Sequence, residues 1–112
     1  DGSGLSRYNL LTPRSIVRVW EKIYTKVPKE RLFTLLATGG ESGTIKNYFK
    51  GDKAYIFGKT GTLSNVYALS GFLVTNTGKI LIFSWMNNNY PTTTSEIRKS
   101  MEPVMKSIHD HY

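Results

Sequence analysis

The sequence predicts an α+β fold: a three-stranded antiparallel meander packed with helices. Three observations predict it. Apolar residues at helical spacing follow Thr12-Pro13. Strand-like runs lie between Tyr55 and Met86, with Thr77-Gly78 between the last two. A second helical stripe follows Thr93. A small antiparallel sheet with a helix laid on it would bury these stripes.

Residues 1–12 have the composition of irregular chain. Thr12-Pro13 is a helix start, a hydroxyl cap with Pro at the first helical position. Ile16, Val17, Val19, Trp20, Ile23, Tyr24 and Val27 then form one buried stripe. Pro28 closes that helix or opens the next turn. A shorter helix is expected over Glu30–Ala37, stopped by Gly39-Gly40. Residues 39–53 are rich in Gly, Lys and Asn. Their apolar patch at Ile45, Tyr48 and Phe49 suits a structured loop with one helical turn.

Three strands are expected next: Tyr55–Lys59, Val66–Asn76 and Lys79–Met86. Thr77-Gly78 supplies the hairpin turn, since Gly tolerates positive φ. Thr93-x-x-Glu96 is a capping box. The helix after it carries Ile97, Met101, Val104, Met105 and Ile108 on one face. Pro103 within it is expected to kink it or to remove one hydrogen bond. Trp20 and Trp85 are expected to anchor the core.

Composition narrows the function. Hydrophobic residues are 39% and charged residues 21% of 112, which suits a globular domain rather than a disordered chain. No run of 18 apolar residues occurs, so no transmembrane segment is expected. No signal peptide is visible, and the first residue is Asp1 rather than Met. The chain therefore reads as a piece of something longer. With no cysteine, disulfides, thiol catalysis and Cys-ligated zinc are excluded. Lys and Arg number 15 against 8 Asp and Glu, a formal net charge of +7. Those charges are spread along the chain without a run of five, so a solvated surface is the expectation and nucleic acid is not.

Chemistry concentrates in Lys59-Thr60-Gly61-Thr62, at the end of the first expected strand. Side chains alternate along a strand, so Lys59 and Gly61 point one way, Thr60 and Thr62 the other. Gly61 leaves room for a ligand backbone to approach. Such an edge can take an extended peptide as an added strand. The hydroxyls and the ammonium could then hold a terminal carboxylate. Ordinary turn chemistry is the plainer reading of Lys and Gly at a strand end.

Context favours the first reading. Lys-Thr-Gly stands with Ser-x-x-Lys and Ser-Asp-Asn as the marks of serine β-lactamases and penicillin-binding proteins. Here the triplet ends a strand, a hairpin follows, and a capped helix comes last. That order resembles the final third of a penicillin-recognising domain of the β-lactamase/transpeptidase-like fold. "DGSGLSRYNLLTP" (Asp1–Pro13), "GGESGTIKN" (Gly39–Asn47) and "GKTGTLSNVYALSGFLVTNTGK" (Gly58–Lys79) resemble three segments of DacB-type D-alanyl-D-alanine carboxypeptidases. These are the class C penicillin-binding proteins of peptidase family S13.

The resemblance implies roles. Lys59 would contribute positive potential and order the proton network around the nucleophile. Thr60 and Thr62 would hydrogen-bond the substrate's terminal D-alanine carboxylate. The Thr62 backbone N–H would be one of two oxyanion-hole donors, each typically worth ~2.7–4 kcal/mol of transition-state stabilisation. Gly61 would let the substrate lie along the strand. Ser3, Leu5 and Leu63 would line the pocket for the residue before D-Ala-D-Ala. Equally, Ser3 could cap a turn while Leu5 and Leu63 fill core. The implied partners are peptidoglycan stem peptides and β-lactams, in the periplasm or cell envelope. No cofactor or metal is expected.

The reaction of that family is acyl transfer through a serine ester. None of this chain's ten serines has Lys three residues later, and no Ser-x-Asn occurs. Residues 1–112 are therefore expected to be the C-terminal part of the penicillin-binding domain, inactive alone and prone to self-association through an open sheet edge. Two other readings stay open: a non-catalytic module that binds peptide or peptidoglycan, and a basic domain whose aromatics (Tyr8, Tyr48, Phe49, Tyr55, Tyr67, Trp85, Tyr90) stack on bases. His109 and His111 permit a metal or catalytic reading. A frayed, solvated helix end is the expectation for them.

Overall fold

The computed structural model describes residues 12–63, 66–88 and 92–112. Helix α1 spans Pro13–Lys26 and α2 spans Lys29–Leu35. Strand β1 is Ala37–Thr38, followed by a 3₁₀ turn at Gly43–Ile45. Strands β2, β3 and β4 cover Ile56–Leu63, Val66–Val74 and Ile80–Asn88, and α3 covers Thr94–His111. The strands form one sheet in the order β1-β2-β3-β4, every pair antiparallel.

The α+β class and the meander stand as expected. One strand is added, because Ala37 and Thr38 leave the second helix and pair with Gly58 and Phe57. Strand β2 also runs through Lys59-Thr60-Gly61-Thr62 rather than stopping at Lys59. Its partners are the residues Val66–Leu73, opposite Leu63–Ile56.

Local chemistry starts the helices as the sequence requires. The Thr12 hydroxyl accepts from Ser15 N–H at 3.1 Å, with Pro13 at the first helical position. The Thr93 hydroxyl accepts from Glu96 N–H at 3.2 Å. Helix α3 continues through Pro103. The β3–β4 turn closes with Thr75 N–H donating to Lys79 O at 2.8 Å.

The two sheet faces differ in partner. On one, Tyr67, Leu69 and Leu73 of β3 and Ile56 of β2 pack with Met101 and Met105 of α3 and with Ile45 and Phe49. All of these are buried. Each such side chain contributes about 1.5–3 kcal/mol when fully buried. On the other, Phe72 meets Trp20, Tyr24 and Phe33 at ring separations of 5.6, 5.6 and 5.4 Å. Trp20 also donates its indole N–H to Ser70 Oγ at 2.9 Å. Trp20 and Trp85 are both half-buried, so they flank the core rather than centre it.

Candidate active-site edge

The pairing pattern gives β2 a free edge. Strand β1 reaches only Phe57 and Gly58. Beyond them, Lys59–Leu63 have β3 on one side and no strand on the other among the described residues. The hydrogen bonds fix which groups face that edge. Tyr55 O accepts from Val74 N on the β3 side, and Ile56 O accepts from Gly39 N on the β1 side. Backbone direction alternates with period two along a strand. The N–H and C=O of Thr60 and Thr62 therefore point to the free edge.

The side chains divide as alternation demands. Thr60 lies on the α3 face and is buried, while Lys59 and Gly61 lie on the α1 face and are exposed. Opposite Lys59 and Gly61 stand Ser70 and Ala68, with Ser84 opposite Ser70 on β4. Small residues thus keep this shelf low. A Cβ built on Gly61 meets no heavy atom within 4 Å. The Lys59 ammonium donates to Thr60 O and makes no ion pair among the described residues. Thr62 is exposed at the strand end. Ser3 and Leu5 lie outside the described residues, and of Leu63 only the backbone is described.

A cleft of about 310 Å³ borders this edge. Leu36 and Ala37 line one wall, Gly43 and Thr44 another, and Lys59 and Thr60 the strand side. The Thr44 and Thr60 hydroxyls are 2.8 Å apart. Thr44 is not among the site residues expected from the sequence. Its signal was slight, a Gly-Thr pair inside a loop segment.

A larger cleft, about 620 Å³, lies at the other end of β2 beside Tyr55, Lys106 and His109. Its groups are committed to structure. Burial, then the charges of Glu102 and Asp110, push the Tyr55 phenol up to about 12, so it is no base at neutral pH. His109 is half-buried and stacks on Tyr55 at 4.3 Å, and its Nδ1 lies 2.6 Å from Val74 O. A carbonyl only accepts, so Nδ1 carries the proton. Asn76 N–H donates to His109 O at 2.9 Å. His109 is thus a latch between α3 and the β3–β4 hairpin, not the solvated end expected of it; His111 is exposed. Among the described residues no group of His, Asp and Glu could hold a metal. Of the aromatics weighed for base stacking, Phe49, Tyr55 and Tyr67 are buried and present no face to a base.

The four-stranded antiparallel meander between helices is the α+β arrangement found in a solved penicillin-binding protein. Residues 1–109 match the D-Ala-D-Ala carboxypeptidase 3 (S13) family, and the chain belongs to it. Among its relatives, penicillin-sensitive carboxypeptidase A of Dictyostelium discoideum is 34% identical over 114 residues, covering 94% of this chain and 22% of that protein. D-alanyl-D-alanine carboxypeptidase DacB of Haemophilus influenzae is 32% identical over 112 residues, covering 95% of this chain and 23% of that one. The crystal structure of penicillin binding protein 4 (dacB) from Haemophilus influenzae superposes with TM-score 0.85 at 28% identity, over 99% of this chain and 27% of that one. The same protein in complex with a β-lactam gives TM-score 0.84 over 99% of this chain and 28% of that one. The chain spans less than a quarter of the length of these two curated relatives.

Proposed function

We propose that this chain is the C-terminal part of a serine-type D-Ala-D-Ala carboxypeptidase or endopeptidase of the cell envelope. It supplies the substrate-gripping edge and not the nucleophile. The observation that carries this reading is the free edge at Lys59–Thr62, with the backbone N–H and C=O of Thr60 and Thr62 unclaimed by any strand among the described residues. An extended peptide laid there adds a strand, and an acyl carbonyl beside Thr62 N–H meets an oxyanion donor. Thr60 and Thr62 hydroxyls hold the terminal carboxylate, and Lys59 supplies positive potential. Family membership and the fold support the reaction class. The β-lactam complex of the Haemophilus influenzae protein supports β-lactams as ligands.

Acyl transfer needs a serine nucleophile, and no Ser-x-x-Lys occurs in these 112 residues. The low shelf of Gly61 and Ala68 leaves room for a nucleophile-bearing part beside Lys59. A fluorescent penicillin is expected to label the full-length protein covalently and leave this chain alone unlabelled. Labelling of the isolated chain would overturn the claim that the nucleophile lies elsewhere.

Among the described residues, the open edges of β2 beyond Gly58 and of β4 also make the isolated chain a template for further pairing. Light scattering is expected to show oligomers growing with concentration. A monomer at every concentration would count against open-edge pairing.

A further inference from the structure

We infer that Thr44 is a positioning residue, fixing the proton of the Thr60 hydroxyl for the substrate's carboxylate. The inference rests on the reading above, in which Thr60 grips that carboxylate.

A threonine hydroxyl has one proton to give and lone pairs to accept with. The Thr44 and Thr60 oxygens lie 2.8 Å apart, so one of the two protons lies between them. A carboxylate only accepts. When Thr60 holds it, the Thr60 proton must point at the carboxylate. The proton between the threonines must then come from Thr44. The loaded site therefore has one polarity, Thr44 to Thr60 to carboxylate. Each donor in such a chain strengthens the next.

The fold holds Thr44 where this chain needs it. Thr44 itself is exposed, so core packing does not explain its placement. Both neighbours do. Ile45 is fully buried. Gly43 has φ +70, and a Cβ there would sit 2.6 Å from Ala37 Cβ. That contact seats the 3₁₀ turn on β1, and β1 is paired to β2 at Gly58. The turn is further tied by Gly40 N–H to Ile45 O at 3.2 Å and by Ser42 Oγ accepting from Thr38 N–H at 3.2 Å. Thr44 is thereby held over a strand residue 16 positions away in sequence.

The test uses the full-length protein and a D-Ala-D-Ala peptide substrate. Thr44→Val keeps the shape and removes the hydroxyl; Thr44→Ser keeps the hydroxyl. Thr44→Val is expected to raise KM about fivefold with kcat within about twofold, the worth of one neutral hydrogen bond, here the one to the Thr60 hydroxyl. Thr44→Ser is expected to restore KM. Thermal melting should be unchanged in both. Thr60→Val combined with Thr44→Val should be no worse than Thr60→Val alone, because Thr44 acts only through Thr60. A normal KM in Thr44→Val, additive effects in the double variant, or failure of Ser to rescue would each overturn the inference. If Thr60→Val itself leaves KM unchanged, the carboxylate reading of Thr60 fails instead.

Discussion

Gly61→Ala in the full-length protein is expected to fold normally and to lose most of its reactivity with penicillin. The fold does not require glycine at this position. A Cβ there meets nothing within 4 Å, and the backbone is not in the left-handed region. Within a strand, alanine should even stabilise by roughly 0.5–1 kcal/mol, since Gly loses more conformational freedom on folding. The added methyl would instead stand on the shelf beside Lys59, in the path of a ligand lying along the free edge. A displacement of about 1 Å at a reacting centre costs on the order of 100-fold in rate. The second-order acylation constant for penicillin is expected to fall by about that factor, with the melting temperature unchanged or slightly raised. A normal acylation constant would mean that nothing passes over Gly61. An unfolded variant would mean that the fold, not the ligand, needs the glycine.

Gly71→Ala should do the opposite and break the fold. Gly71 sits opposite Gly58 where β2 and β3 cross closely. Its φ is +150, and a Cβ would lie 2.2 Å from Phe57 O and 2.7 Å from Gly58 Cα. Both obstacles are backbone, so no side-chain rotation relieves them. The strands must separate or lose register just before Lys59. A loss on the order of 4 kcal/mol is expected, in the range reserved for severe overpacking and backbone strain. Denaturant unfolding of the full-length protein, or loss of its soluble yield, reads this out. A midpoint equal to wild type would show that the sheet can relax here. The two glycines, one opposite the other's neighbourhood, separate fold from function in a single pair of variants.

Much of this was legible along the chain. Thr12 and Thr93 cap their helices because a hydroxyl before an apolar stripe satisfies a free N–H, which is a local matter. The β3–β4 hairpin follows from apolar runs around Thr77-Gly78. The motif Lys59–Thr62 was visible as a residue pattern. Its conformation was not. Lys-Thr-Gly-Thr lacks apolar alternation and looked like the end of a strand. It lies inside the strand because β3 supplies partners as far as Val66. Ala37 and Thr38 looked like a helix end for the same kind of reason. Two residues carry no periodicity, and only pairing with Gly58 and Phe57 makes them a strand. His109 looked solvated because its partner, Val74 O, is 35 positions away.

The sequence by itself determined the three helices, the β2–β3–β4 meander, the two threonine caps and the α+β class. Those depend on forces that act within a few residues. Tertiary structure decided that Thr60 and Thr62 turn their backbone to a free edge, that Gly61 is left open while Gly71 is pressed against Phe57, and that Thr44 stands over Thr60. Such facts depend on strand register and on contacts between distant segments, which residue order alone does not encode.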